Sequence, residues 1–161
     1  MQDIDTRQIS DFDKVLNDLL DEFPKMRREL HEELGELAKK EVDSAIPDSF
    51  TDENPGGGDK IRRWQKIYIG SGGGYAAVRP VGSKDGGGVG KNSAGAITNY
   101  LEGGHKTRGS KAQKPKKSSL KVAYVNGYHF YQTARSSVEA KAIKAAEQFA
   151  NKLAGRLEGG R

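Results

Sequence analysis

The chain of 161 residues is the size of one domain, and with 34% hydrophobic and 30% charged residues it can form only a small core. It contains no cysteine, which excludes a disulfide framework and a thiolate metal site. No apolar run approaches the roughly 18 residues of a membrane-spanning helix, and the first residues lack the basic and apolar regions of a signal peptide. These features predict a soluble protein, made in the cytoplasm, with no membrane partner.

Charge is divided unequally along the chain. Residues 1–58 hold 16 acidic and 7 basic side chains, a net charge of −9, whereas residues 59–161 hold 6 acidic and 20 basic side chains, a net charge of +14. Such a dipolar chain can attract copies of itself or bind an acidic partner. An acidic helix face and a basic loop, both exposed to solvent, are the simpler interpretation.

The first predicted element is a helix over residues 10–46. Apolar residues recur there at steps of three and four, which is the pattern of an amphipathic helix. Pro24 removes one backbone hydrogen bond and clashes one turn back, so a kink or a new helix over residues 25–45 is expected. Pro47 ends the helix, and residues 47–60 have the composition of a loop.

Two strands are predicted next. Residues 61–69 alternate in polarity, residues 70–74 form a glycine-rich turn, and residues 75–82 return as the antiparallel partner. Pro80 suits an edge position because proline cannot donate to the ladder.

Two loops are predicted to be mobile in the isolated chain. Residues 83–95 are rich in glycine, and residues 105–119 combine repeated positive charge with a lack of apolar anchors. Between the loops, residues 96–102 form a short strand or a turn of helix. After them, residues 122–130 are extended, with a turn at Asn126 and Gly127.

The last predicted element is a helix over residues 131–157. Its expected apolar stripe consists of Ala134, Val138, Ala142, Ile143, Ala146, Phe149, Ala150 and Leu153. The change of apolar period from 3.6 to 2 and back predicts an α+β fold, in a single domain over residues 1–161. The long Pro-kinked N-terminal helix and the C-terminal helix, near residues 131–155, pack on one side of a small antiparallel β-sheet with long flexible loops.

No cofactor site is predicted from the glycine-rich segment DGGGVGKNS, residues 85–93. It resembles a phosphate-binding P-loop, but Asp85 stands where that loop requires glycine. Asn92 stands where the loop requires the hydroxyl that binds magnesium. A linker is the better interpretation.

No metal or catalytic site is predicted either. Glu102, His105 and His129 could share a metal ion, but the intervening Gly103 and Gly104 favour a turn, and a hydrogen-bonded structural histidine is the better interpretation. The serines lie in loops or at a helix start, where nothing fixes a Ser-His-Asp arrangement. The chain is therefore predicted not to be an enzyme, although an unrecognised active site stays an alternative.

Two short segments carry a resemblance to a known family. The stretches YLEGGHKTR, residues 100–108, and VNGYHFYQTARSS, residues 125–137, with a long helix after them, resemble the head–tail joining or tail-completion proteins of long-tailed phages, which are neck or minor tail components. The positions that match the family's two segments are Tyr100, Glu102, Gly104, His105, Val125, Gly127, His129 and Phe130.

The resemblance covers residues 23–157 and leaves residues 1–22 as an N-terminal helical extension. Two departures are visible: the segment IPDSFTDENPGGG keeps only the proline of the family's Pro-x-Asp/Lys-Thr-Gly pattern, and Leu101 stands where valine is common. In the family the first segment ends a strand.

The resemblance implies a structural virion protein of the phage neck, without catalysis or cofactor. Its subunits would form a ring, a hexamer, between the head connector or stopper and the tail terminator or tail tube, with DNA passing through the lumen. The motif residues would then serve as scaffold and interface: Tyr100, Glu102, Gly104, His105, Gly127, His129 and Phe130. Phe130 with Tyr128 and Tyr131 would anchor the last helix onto the sheet, and Glu102 and His105 would fix a corner.

A second hypothesis is a small basic nucleic-acid-binding module that uses residues 105–121. This segment contains seven Lys or Arg residues and no Asp or Glu, so it could neutralise phosphates without reading bases. It has no aromatic residue for stacking on single strands. The side chains that could face DNA under either hypothesis are Lys106, Arg108, Lys111, Lys114, Lys116 and Lys117.

Overall fold

The computed structural model describes residues 7–50, 57–106 and 124–158. The fold is α+β, with a long helix at each end of the described chain and two small antiparallel sheets between them. In chain order the elements are α1 (Arg7–Ala45), α2 (Gly57–Trp64), β1 (Gln65–Ile69), β2 (Ala76–Pro80), 3-10 turns at Ser83–Asp85 and Gly90–Asn92, α3 (Ala94–Gly103), β3 (His105–Lys106), β4 (Tyr124–Val125) and α4 (Phe130–Glu158). No helix in these ranges is long and apolar enough to cross a membrane.

Helix α1 runs through Pro24 without interruption. The predicted alternative of a new helix at residue 25 is therefore wrong, while the kink stays a prediction. Proline removes one hydrogen bond of the helix, but the turns on either side retain theirs. The half of α1 after the proline also gains tertiary packing, since Met26 and Val42 are buried.

The core lies where the C-terminal end of α1 meets α2 and the start of α4. Its buried residues are Val42, Ile46, Ile61, Phe130 and Ala134. Helix α1 contacts both α4 and the β1–β2 hairpin, so it lies at the centre of the domain. Burying each large apolar side chain contributes about 1.5–3 kcal/mol, and this small cluster joins the C-terminal end of α1 to α2 and to the start of α4.

The predicted strand over residues 61–69 is wrong in its first part, because residues 61–64 complete α2. Ile61 and Trp64 are three residues apart, so they share a helical face as readily as residues 61 and 65 share a strand face. The tertiary hydrogen bonds of Arg62 favour the helix over the strand at these residues. Its Nε donates to the Asp43 carbonyl oxygen at 2.9 Å, and its guanidinium contacts the Asp48 carboxylate at 2.7 Å.

The antiparallel hairpin itself is confirmed. Strand β1 pairs with β2 from Gln65 opposite Pro80 to Ile69 opposite Ala76, so the second strand is shorter than the predicted residues 75–82. The turn is closed by the Gly70 amide, which donates to the Tyr75 carbonyl oxygen at 3.0 Å.

Residues 94–103 form helix α3, whose N-terminus is capped by the Ser93 hydroxyl. The hydroxyl accepts a hydrogen bond from the Ala96 amide at 3.2 Å, as serine commonly does at this position. The expectation that the segment at Tyr100 ends a strand is wrong, since Tyr100 and Glu102 lie in the last turn of this helix. The predicted mobility of residues 83–95 stays a prediction, and most of the other loop, residues 107–119, lies outside the described residues.

Helix α4 packs mainly on α1. Ala134 and Ala145 are buried and Val138 and Phe149 are half-buried, whereas Ile143 is 57% exposed. The predicted stripe is therefore wrong at Ile143, and also at the exposed residues 146 and 150. The face that meets α1 follows steps of four from Ala134 and from Ala145. This face is selected by the position of α1 rather than by the most apolar side chain available.

Polar contacts reinforce the pairing of the two long helices. The Glu41 carboxylate of α1 accepts from the Ser137 hydroxyl at 2.6 Å and pairs with the Lys141 ammonium group at 2.5 Å. These donors hold the pKa of Glu41 below its usual range, Lys141 contributing most. Nearer the other end, Arg156 of α4 pairs with Glu22 of α1.

Candidate functional site

The two segments that carry the family resemblance meet in space. They form one feature, residues 100–106 and 124–130, which we call the corner. The Tyr128 amide donates to the Leu101 carbonyl oxygen at 2.7 Å, and the His129 amide donates to the Glu102 carbonyl oxygen at 3.1 Å. The short β3–β4 ladder, with His105 opposite residue 125, adds a second connection. The corner thus links the C-terminal end of α3 to the N-terminus of α4.

The Glu102 side chain caps helix α4. Its carboxylate accepts hydrogen bonds from the backbone amides of Tyr131, at 3.0 Å, and Gln132, at 3.3 Å. These amides belong to the first turn of a helix, where no preceding carbonyl can accept from them. A negative charge is also favourable at the positive end of the helix dipole. Glu102 is therefore a side chain that fixes where α4 begins.

Two glycines allow the backbones of the corner to approach each other. A Cβ atom on Gly127 would lie 2.0 Å from the Glu102 carbonyl oxygen, which no side chain can tolerate. Gly104 has a φ of 75°, a conformation that glycine adopts without steric cost. A Cβ there would lie 2.4 Å from the Val125 carbonyl oxygen. Both matched glycines thus have a steric reason to be glycine.

His129 takes an unusual backbone conformation at the end of the corner. Its φ of 52° makes it the one non-glycine residue with a positive φ in the described ranges. Its carbonyl oxygen accepts from the Thr133 amide at 2.9 Å, as the residue preceding a helix does. The side chain of His129 is exposed, so its backbone rather than its imidazole belongs to the scaffold.

Phe130 and Tyr131 attach the start of α4 to the rest of the domain. Phe130 is 1% exposed and belongs to the core cluster. The Tyr131 hydroxyl donates to the side-chain oxygen of Gln65, the first residue of β1. Burial raises the pKa of Tyr131 well above its usual range, and the negative charge of Glu102 adds to the effect. Gln65 is fully buried, and its amide nitrogen donates to the Ile61 carbonyl oxygen at 3.1 Å.

His105 lies against the aromatic ring of Tyr100, with 5.3 Å between the ring centroids. Its Nδ1 atom is buried and has no hydrogen-bond partner among the residues that the structure describes. Glu102 is only three positions from His105 in the sequence, but its carboxylate is bonded to the first turn of α4. Within the described ranges no three His, Asp or Glu side chains lie close enough together to hold a metal ion.

The outer surface of the corner is aromatic. Tyr100, Tyr124, Val125 and Tyr128 are between 39% and 45% exposed. Two of the tyrosines are nevertheless held by their hydroxyl groups: Tyr124 donates to the Gly103 carbonyl oxygen at 2.8 Å, and Tyr128 donates to the carbonyl oxygen of residue 50 at 2.6 Å. Aromatic side chains of this kind are enriched at protein interfaces.

Of the basic side chains that could face DNA, the structure describes only Lys106. Lys106 lies on β3 and is exposed. The other five, Arg108, Lys111, Lys114, Lys116 and Lys117, lie outside the described residues. Their predicted role therefore rests on their charge in the sequence.

Sequence reasoning missed three contributors to this site. The Tyr124 hydroxyl bonds the two segments of the corner to each other. The carbonyl oxygen of Phe50 and the side chain of Gln65 accept hydrogen bonds from Tyr128 and Tyr131, and so hold the corner and the start of α4 to distant parts of the chain. No local pattern marks them, because their roles depend on partners at least 21 positions away.

Comparison with known proteins adds no further assignment. No protein-family model, curated protein or solved structure matches the chain.

Proposed function

We propose that this protein is a structural component of the neck of a long-tailed phage, made in the cytoplasm of the bacterial host. It would join the head connector or stopper to the tail terminator or tail tube. In this role it acts as a subunit of a ring, a hexamer by resemblance, with DNA passing through the lumen. The proposed role involves no catalysis and no cofactor.

The corner is the observation that carries this proposal. Its two matched segments, residues 100–105 and 125–130, are far apart in sequence, yet they bond directly through Leu101, Glu102, Tyr128 and His129. The matched Glu102 is a helix cap, the matched glycines permit close approach of the backbones, and Phe130 is a core anchor. These roles support treating the resemblance as one structural unit rather than as two chance matches.

The charge distribution supports assembly through unlike surfaces. The net charges of −9 on residues 1–58 and +14 on residues 59–161 would let one subunit attract the next in a heterologous contact, which closes into a ring when the rotation allows. Exposed apolar side chains on α1, Leu20 at 60% and Phe23 at 37%, offer surface that a neighbour could bury.

The first experiment is deletion of the gene in the phage or prophage that carries it. The expected result is DNA-filled heads and separate tails, seen by electron microscopy, with joining restored on addition of the purified protein to the lysate. Normal infectious particles from the deletion would rule the joining role out. The purified protein should also show a mass that rises with concentration, or upon addition of its neck partner.

A matched pair of variants tests the corner. Tyr124→Ser combined with Tyr128→Ser removes two exposed rings of the corner, whereas Tyr75→Ser removes a ring that is 61% exposed at the hairpin turn. The double variant should lose the ability to restore joining while Tyr75→Ser retains it, with thermal unfolding measured to verify that each is folded. If the two variants restored joining equally well, the corner would not be part of the interface.

The nucleic-acid-binding alternative makes a different prediction. A binding module should shift duplex DNA with a steep dependence on salt and should be dispensable for joining. Replacing Lys111, Lys114, Lys116 and Lys117 with Ser should leave the fold intact. In a ring subunit these changes alter DNA retention or tail attachment, whereas in a binding module they abolish the DNA shift and leave particles normal.

A further inference from the structure

A cleft of about 700 Å³ lies between the second 3-10 turn, α3 and β3. Its volume falls in the range of about 300–1,000 Å³ that is typical of small-molecule sites. The residues that line it are Lys91, Asn92, Ile97, Tyr100, His105 and Lys106. The cleft therefore brings the glycine-rich segment, which does not form a P-loop, against the corner.

The polar groups of this cleft suit an anion. Lys91 and Lys106 are both exposed and carry positive charge, Asn92 adds an amide, and no carboxylate is among the lining residues that the structure describes. His105 also lines the cleft.

The cleft also has an aromatic wall. Tyr100 is 44% exposed and lines the cleft, so the part of its ring that does not contact His105 can contact a planar group. Stacking of a base on an aromatic side chain is worth about 1–3 kcal/mol and tolerates any base. Lysines beside an aromatic ring can accommodate the phosphate and the base of one nucleotide, which are joined through its sugar.

We propose that this cleft binds a nucleotide unit, with its phosphate between Lys91 and Lys106 and its base against Tyr100. The ligand is a free nucleotide or one nucleotide of a nucleic-acid strand, since the two share this chemistry. The site stands independently of the phage-neck role, because it rests on the cleft alone.

The test is calorimetric titration of the full-length protein with adenosine 5′-monophosphate, inorganic phosphate and adenosine. A mononucleotide is the preferred probe because it carries one phosphate and one base, the two groups that the cleft is proposed to hold. The monophosphate should bind more tightly than either inorganic phosphate or adenosine. Absence of binding by the monophosphate would overturn the proposal.

Paired charge variants locate the site. Lys91→Gln combined with Lys106→Gln should weaken monophosphate binding at least about tenfold, since each removes a charge-assisted contact. The control, Lys66→Gln combined with Lys144→Gln, removes the same charge from exposed positions on β1 and α4 and should bind normally. If both double variants bound the monophosphate equally weakly, the effect would be one of general charge, and the proposed site would be overturned. Lys91→Gln alone serves if the double variant does not fold.

A third variant tests the aromatic wall. Tyr100→Leu should lower the affinity for adenosine 5′-monophosphate without changing the affinity for inorganic phosphate. An unchanged affinity for the monophosphate would overturn the nucleotide assignment. A short single-stranded oligonucleotide then distinguishes the sources. Tighter binding than the mononucleotide, lost in the Lys91 and Lys106 variant, assigns the cleft to a strand, and equal binding assigns it to a free nucleotide.

Discussion

Replacement of Glu102 by Ala should destabilise the protein by uncapping α4. The carboxylate accepts from two first-turn amides, at 3.0 and 3.3 Å, and loss of a helix cap costs about 0.5–2 kcal/mol. Since Glu102 is half-buried and accepts both hydrogen bonds, we expect the free energy of unfolding to fall by an amount in the upper part of that range, about 1.5 kcal/mol. In a chain of 161 residues this corresponds to a fall in Tm of about 3–6 °C.

Glu102→Gln separates the hydrogen bonds from the charge. The amide retains one oxygen acceptor but loses the attraction of a negative charge to the helix dipole, worth about 0.3–1 kcal/mol. We therefore expect Glu102→Gln to fall between the wild type and Glu102→Ala.

The assay is unfolding followed by circular dichroism, in urea and on heating, with Glu139→Ala as the control. Glu139 is exposed on α4, the helix that Glu102 caps, and surface substitutions of this kind change stability by less than about 0.5 kcal/mol. The urea m-value should stay constant, which shows that stability alone has changed. If Glu102→Ala and Glu139→Ala unfold at the same midpoint, the capping role of Glu102 is refuted.

Three further predictions concern the corner and Tyr131, the second residue of α4. Gly127→Ala would place a Cβ 2.0 Å from the Glu102 carbonyl oxygen, so the free energy of unfolding measured in urea should fall by about 1–3 kcal/mol. The control is Gly95→Ala, which has no heavy atom within 4 Å of its Cβ and should be neutral or stabilising. Equal effects of the two variants would contradict the steric argument. Tyr131→Phe leaves the buried Gln65 oxygen without its donor and should cost about 1–3 kcal/mol; a wild-type midpoint would show that this hydrogen bond is not needed. Burial raises the pKa of Tyr131 above its ordinary value of 10.0. The contribution of this group to stability is therefore full below about pH 10 and is lost as the pH rises from there through the raised pKa. In a tyrosinate absorbance titration, Tyr131→Phe should lack a component that titrates above pH 10.

Periodicity predicted the two long helices because their packing follows the same period as their sequence. It failed at residues 61–64, where the apolar side chains fit a helix and a strand equally well. There the decision comes from Arg62, whose bonds to Asp43 and Asp48 are tertiary. It also failed on α4, where Ala145 is buried and Ile143 is exposed, because the position of α1 selects the face.

The site could be predicted only as a pair of segments. Tyr100, Glu102, Gly127 and Phe130 were named from the resemblance, but no sequence pattern shows that the Glu102 carboxylate reaches an amide 29 positions further on. The steric need for Gly127 likewise exists only once the backbone at Glu102 lies against it. Local patterns describe elements, whereas these contacts depend on how the elements meet.

If the corner is an assembly surface, its aromatic side chains are ordered before a partner arrives. The hydroxyls of Tyr124 and Tyr128 are bonded to backbone carbonyls, while the side chains remain 45% and 41% exposed. Ordering a mobile side chain on association costs about 0.5–1.5 kcal/mol, and side chains that are already held avoid much of this cost. Beneath them, Glu102 and Gly127 hold the backbone in one conformation. In the proposed joining role, the motif residues would therefore shape the surface and the tyrosines would supply the contact with the partner.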